Sequence, residues 1–296
     1  MAESIATSDA VLDAFVAHFE TRFGAQLQAV IAYGSYLRGK RDTVLDFYVL
    51  LDSYAALPRV AGIANRLLPP NVYHLMVDIA GTPHSAKFAT ITLAQFAQCI
   101  GEDFHSYFWA RFAQPCLLLH ARDPALRTRI DALWRVAAKR VLSNSLALMP
   151  PHFASEALWC QAFTLSYGAE LRAENPHAAA RLYSDYRASL DAHLDALAHE
   201  LGLQHVAPDT WQHQTSAVAA NATRRAWRRR RFLGKCLSIA RLLKAAFTFN
   251  DPLDYVVWKV ARHTGIEEPT SPLQRRHPLL FGWGVLWRLY RRGGFR

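Results

Sequence analysis

Between Ala32 and Asp52 the chain reads AYGSYLRGKRDTVLDFYVLLD. An apolar run that ends in Gly34-Ser35 delivers unpaired backbone N–H groups into a turn, and with the Ser35 hydroxyl these can hold phosphate oxygens. Gly34 lacks the side chain that would obstruct a close approach. Asp46 opens the next apolar run. A carboxylate there can hold Mg2+ against the same phosphates, because this cation takes oxygen ligands from one or two carboxylates plus substrate. Position 48, where a second acid would complete a pair, is Tyr48. Asp52 is another candidate metal ligand, but it lies roughly 20 Å further along an extended strand and could join only if the chain turned. Asp78, in a later apolar run, could supply an oxygen from a neighbouring strand. The plain alternative for a GS turn followed by Asp is an ordinary connection with a solvated strand end.

The order apolar strand, GS, Asp-led strand resembles the nucleotidyltransferase signature. Several blocks, in order, are also similar to the mitochondrial-type phosphatidate cytidylyltransferases, the peripheral CDP-diacylglycerol synthases of the translocator maintenance family. They are YGS at Tyr33 to Ser35, LDF at Leu45 to Phe47 with Asp52 beyond it, AKFATIT at Ala86 to Thr92, WARFAQP at Trp109 to Pro115, and LSYGAELR at Leu165 to Arg172. They extend from about Ala32 to Tyr183. The basic turn between the first two is shorter than the family's, Phe88 stands for its tyrosine, and Glu170 for its aspartate.

This resemblance implies transfer of CMP from CTP to phosphatidate at an anionic membrane surface, with Mg2+ as cofactor and a cytoplasmic protein peripheral at the inner face of the membrane. It implies that Tyr33, Gly34, Ser35 and Lys87 bind nucleotide, and that Lys87 and Arg111 act with Asp46 in catalysis. Glu170 and Arg172 are further candidates. Judged by residue type alone, Lys87 is a strand-end lysine, Arg111 a helix-surface arginine, and Glu170 and Arg172 members of a structural ion pair.

Positioning these groups requires strands at Leu27 to Tyr33, Val44 to Leu51, Val72 to Ile79 and Lys87 to Thr92. Helical spacing predicts helices over Ser8 to Phe23 and Pro58 to Leu68, and then over Leu126 to Leu148, Ser155 to Glu174 and His177 to Leu201. The expected class is α+β: a nucleotidyltransferase-type mixed sheet with flanking helices, followed by a mostly helical domain. The expected divisions are 1–115, 116–215 and a basic, membrane-facing 216–296, with Gly202 to Ala220 as a linker.

The 296 residues are 51% hydrophobic, enough for a sizeable core. The net charge of +10 and pI of about 9.7 serve solubility, an anionic partner or an anionic surface, and nucleic acid and anionic lipid both fit. The arginine cluster RRAWRRRR and the C-terminal HPLLFGWGVLWRLYRRGGFR supply basic and aromatic surface. Arg228, Arg229, Arg230, Trp283 and Trp287 are the expected membrane contacts. No run is long and apolar enough to span a bilayer. The N-terminus lacks signal-peptide character, and the four scattered cysteines form no disulfide framework, pointing to a reducing compartment. The histidines show no zinc-ligand spacing. Two other functions fit the same features: an RNA-directed nucleotidyltransferase, and a catalytically inactive membrane-binding scaffold.

Overall fold

Five apolar segments, β1 (Leu27–Tyr33), β2 (Leu45–Leu51), β3 (Asn71–Ile79), β4 (Thr82–Thr92) and β5 (Leu117–Ala121), form one mixed sheet in the order β3-β4-β2-β1-β5 in the computed structural model. The structure describes residues 9–41, 43–170, 177–248, 257, 268–276 and 283–292. β2 and β4 run parallel, and the other neighbouring pairs are antiparallel. β2 is the middle strand and is covered on both faces, so its sequence is apolar almost throughout rather than alternating.

One face of the sheet meets α1 (Ala10–Phe23). Leu12, Phe15, Phe19 and Phe23 are buried there against Phe47 and Phe88, with ring centroids 5.2 Å apart for Phe15–Phe47 and 5.1 Å for Phe19–Phe88. Burying each such ring contributes on the order of 1.5–3 kcal/mol. The helix starts at Asp9, whose carboxylate accepts from Val11 N at 3.1 Å and Leu12 N at 3.4 Å. The opposite face, carrying Ala29, Ile31, Tyr48, Leu50 and Ile91, is covered by α3 (Leu93–Gly101), the short α4 (Trp109–Phe112) and the first part of α5 (Pro124–Leu146). α2 (Arg59–Leu67) links β2 to β3.

The expected division at residue 115 cuts off part of the sheet, because β5 pairs with β1. Its short run LLLHA is too brief to separate strand from helix by period. α5 also joins the two halves: Ile130 and Ala137 face the sheet, whereas Ala138, Val141 and Leu142 enter a second core with α6 (Ser155–Tyr167) and α7 (Ala178–Leu197). There Trp159 is fully buried and its indole N–H donates to Leu190 O at 3.0 Å.

The segment expected as a linker contains β7 (Gln204–Ala207) and β8 (Thr210–Gln212), which form a small antiparallel sheet with β6 (His152–Ala154). Trp211 is buried in it, so apolar burial won over the polar composition. The helix expected to reach Glu174 ends at Tyr167. The basic helix α8 (Ala217–Thr248) begins before its arginine cluster and spans both halves. Trp227 Nε1 donates to Asn144 O at 2.6 Å, while Arg241 Nε reaches Pro69 O at 3.0 Å and Lys244 Nζ reaches Pro70 O at 2.8 Å. Gly234 permits this fit, since a Cβ there would lie 2.2 Å from Ala169 O. Among the described residues, two further helices, α9 (Pro272–Arg276) and α10 (Trp283–Arg291), follow. All four cysteines are free, as their spacing implies.

Candidate functional site

Strand register assembles the site. Tyr33 pairs with Asp46 across β1 and β2, Asp46 with Lys87 across β2 and β4, and Lys87 with His74 across β4 and β3. Directly paired residues project to the same face, and the parity of this row is that of Ile31, Tyr48 and Ala89, on the α3/α4/α5 side. The row lies at the sheet end where β1 turns into Gly34-Ser35. Burial, and then the charge of Lys87, hold the His74 imidazole below the usual histidine value.

The bend is fixed from several sides. Gly34 has φ +91°, and a Cβ on it would come within 2.9 Å of Asp46 Oδ2, so the carboxylate lies directly against the turn. Ser35 Oγ shares a 2.9 Å hydrogen bond with Thr43 Oγ1. Behind the turn, Tyr36 Oη and Arg41 Nη1 each donate to Asp9 Oδ2 at 2.9 Å. Arg38 pairs with Asp185 of α7 at 3.3 Å, tying the bend to the helical half. Asp9, Tyr36 and Asp185 carried no motif signal, because their roles depend on contacts distant in sequence.

Two expected metal ligands are elsewhere. β2 stays extended to Leu51, so Asp52 sits exposed beyond the opposite end of the strand, with its amide bonded to Gln26 O at 2.8 Å. Asp78 is exposed at the tip of the β3–β4 hairpin, where Oδ1 accepts from Gly81 N at 2.9 Å. It is four residues along β3 from His74, roughly 13 Å from the row. Tyr48, at the position where a second acid would help, is fully buried among Tyr33, Phe108 and Phe112. Among the described residues no three His, Cys, Asp or Glu side chains converge as metal ligands. Asp46 therefore fits Mg2+ as one carboxylate sharing the ion with substrate oxygens, but the described residues do not fit a cation held by protein groups alone.

Arg111 of α4 joins the row from above. Nη1 donates to Tyr33 Oη at 3.2 Å, Nη2 lies 3.6 Å from Glu170 Oε2, and the guanidinium stands 4.9 Å from the Tyr107 ring centroid. Burial opposes its charge, but the oxygens of Tyr48, Tyr107, Tyr33 and Glu170 hold the guanidinium protonated well above its ordinary range. Burial likewise raises the Tyr33 hydroxyl; Arg111 opposes the rise and Asp46 adds to it. Among the described residues Arg111 Nε and Tyr48 Oη are buried without hydrogen-bond partners, so the site retains polar capacity next to the row. Glu170 serves as the ion-pair partner of Arg111; Arg172 lies outside the described residues.

Of the expected membrane contacts, Arg228 and Arg229 are exposed and Trp287 is 61% exposed. Arg230 is not a surface contact. It is 6% exposed, with Nε donating to Phe104 O at 2.9 Å and Nη2 to Asn144 Oδ1 at 2.7 Å, because the helical period turns it inward beside Trp227. The side chain of Trp283 and residues 277–282 lie outside the described residues. No described helix is long and apolar enough to cross a membrane.

A scan against models of protein families finds no match, and neither does a search of curated proteins. Among solved structures, the chain matches the crystal structure of a nucleotidyltransferase-like protein from Exiguobacterium sibiricum 255-15, with 13% identity, coverage of 94% of this chain and 90% of that one, and a TM-score of 0.27. A superposition at that level bears no weight for fold or activity.

Proposed function

We propose that the chain is a nucleotidyltransferase that moves CMP from CTP to phosphatidate at an anionic membrane surface. The observation that carries this reading is the row Tyr33–Asp46–Lys87, set against the Gly34-Ser35 bend with Arg111 beside it. CTP and phosphatidate as the substrates come from the resemblance of the sequence blocks. The two phosphate-bearing reactants repel each other, so catalysis is chiefly positioning and charge neutralisation. A lipid phosphate oxygen attacks the α-phosphorus of CTP, a new P–O bond forms, the α–β bridging bond breaks, and pyrophosphate leaves.

In this reading the backbone amides at Gly34-Ser35 cradle the phosphates, and Lys87 supplies a mobile positive charge. Asp46 would hold Mg2+, whose chemistry there is neutralisation of the phosphate oxygens. Arg111, locked by Tyr33, Tyr107 and Glu170, adds fixed positive potential beside the row. A second reading, a binding scaffold without transfer, draws on one observation: Asp46 has neither Asp52 nor Asp78 beside it.

An acceptor and nucleotide panel tests the assignment. Labelled CTP, ATP, GTP and UTP are incubated with Mg2+ and either phosphatidate vesicles or RNA. The expected product is CDP-diacylglycerol from CTP alone. Label on RNA ends would move the chain to RNA-directed transfer, and no product with retained vesicle binding would leave the scaffold.

A further inference from the structure

On α8, Asn221, Arg224, Arg225, Arg228 and Arg231 recur three or four residues apart and so share one side of the helix. With Leu148 beyond the end of α5, Leu165 of α6 and Trp227, they line a cleft of about 650 Å³. The four arginines are exposed, and among the described residues none of them forms an ion pair; Arg224 bonds to Asn221 Oδ1 at 2.7 Å. Guanidinium groups at this spacing repel one another, and the repulsion is relieved when one anion accepts hydrogen bonds from several of them.

We propose that this cleft binds the phosphate headgroup of an anionic phospholipid, as a site separate from the bend and independent of nucleotidyl transfer. Three observations favour a lipid over nucleic acid. The cleft is open to solvent but local, with the volume of a small-ligand site, whereas a polynucleotide needs a groove that tracks its backbone. Trp227, the aromatic residue lining it, is 3% exposed and its N–H is bonded to Asn144 O, so its ring is not offered for base stacking. One turn beyond Arg228 and Arg229, Phe232 is 70% and Leu233 45% exposed. These can enter the acyl boundary while the arginines remain at the phosphates.

The test uses the full chain without nucleotide, sedimented with phosphatidylcholine vesicles with or without phosphatidylglycerol, a phosphodiester that is no acceptor for transfer. Arg224→Gln/Arg228→Gln is compared with the charge-matched pair Arg127→Gln/Arg129→Gln on the exposed side of α5, after equal thermal midpoints show that both variants fold. The cleft pair should bind anionic vesicles roughly thirtyfold more weakly, about fivefold per arginine, and the control pair should stay within about threefold of wild type. Equal weakening by both pairs would replace the cleft with diffuse attraction and overturn the proposal. So would thermal protection by inorganic phosphate that the cleft pair abolishes while its vesicle binding stays intact, which would mark a free-phosphate site. Tighter binding to single-stranded RNA than to vesicles, lost in the cleft pair, would assign the cleft to nucleic acid instead.

Discussion

Gly34 and Asp46 touch, and that contact makes the bend sensitive to a single methyl group. With φ at +91° and Asp46 Oδ2 2.9 Å from the position of a new Cβ, Gly34→Ala must displace the carboxylate or the turn. The variant should lose at least ~10-fold in transfer while stability falls by only ~1–2 kcal/mol. Urea melts beside initial rates check this; unchanged rates would mean that Asp46 is not held by the turn. Asp9 acts on the same bend through stability. Burial pushes its carboxyl up, but hydrogen bonds from Tyr36, Arg41 and the amides of Leu12 and Val11 outweigh that and lower it below the free aspartate value. The sign follows from linkage: its contribution is present above the unfolded value near 4 and disappears as pH falls through the lower folded value. Asp9→Ala should cost ~1–2 kcal/mol at pH 7, and the gap to wild type should narrow in acid. A gap that stays constant between neutral and strongly acidic pH would remove Asp9 from that role.

α8 is the element whose sequence least discloses its function, because eight adjacent residues, Arg224 to Arg231, divide between two environments. Helical spacing turns Trp227 and Arg230 toward Asn144 and Phe104, while Arg228 and Arg229 stay outside. Burial, and then the nearby Arg140, push the Arg230 guanidinium down to about 10. Its hydrogen bonds to Phe104 O and Asn144 Oδ1 offset that cost, so Arg230→Ala should destabilise the protein by ~2–3 kcal/mol through their loss, yet leave vesicle binding by the folded protein unchanged. Chemical denaturation and vesicle sedimentation separate the two effects, and a binding defect without destabilisation would return Arg230 to the surface. The long helices and the strands flanking the bend were legible because their apolar periods extend over many residues. β5, β7 and β8 were not: short strands are specified by the partners they pair with, and those partners lie far away in sequence.

At the scale of the molecule, the sheet and the helical half share α5 and are strapped together by α8, so the bend, Arg111 and Glu170 are held by both halves. The geometry of the bend was readable from Gly34, Ser35 and Asp46, since strand order brings the turn and the carboxylate together. The placement of Asp52 and Asp78 was not, because it depends on β2 staying extended and on the hairpin carrying Asp78 away from the row. What remains is one carboxylate, one lysine and a bend on a protein of net charge +10. The most direct measurement is transfer of labelled CMP from CTP to phosphatidate in vesicles, with wild type, with Asp46→Asn and with the divalent cation chelated. Wild type should form CDP-diacylglycerol, and the substitution and the chelator should each lower the rate at least ~10²-fold. Product formed by Asp46→Asn at the wild-type rate would contradict the assignment of the bend as the site of transfer.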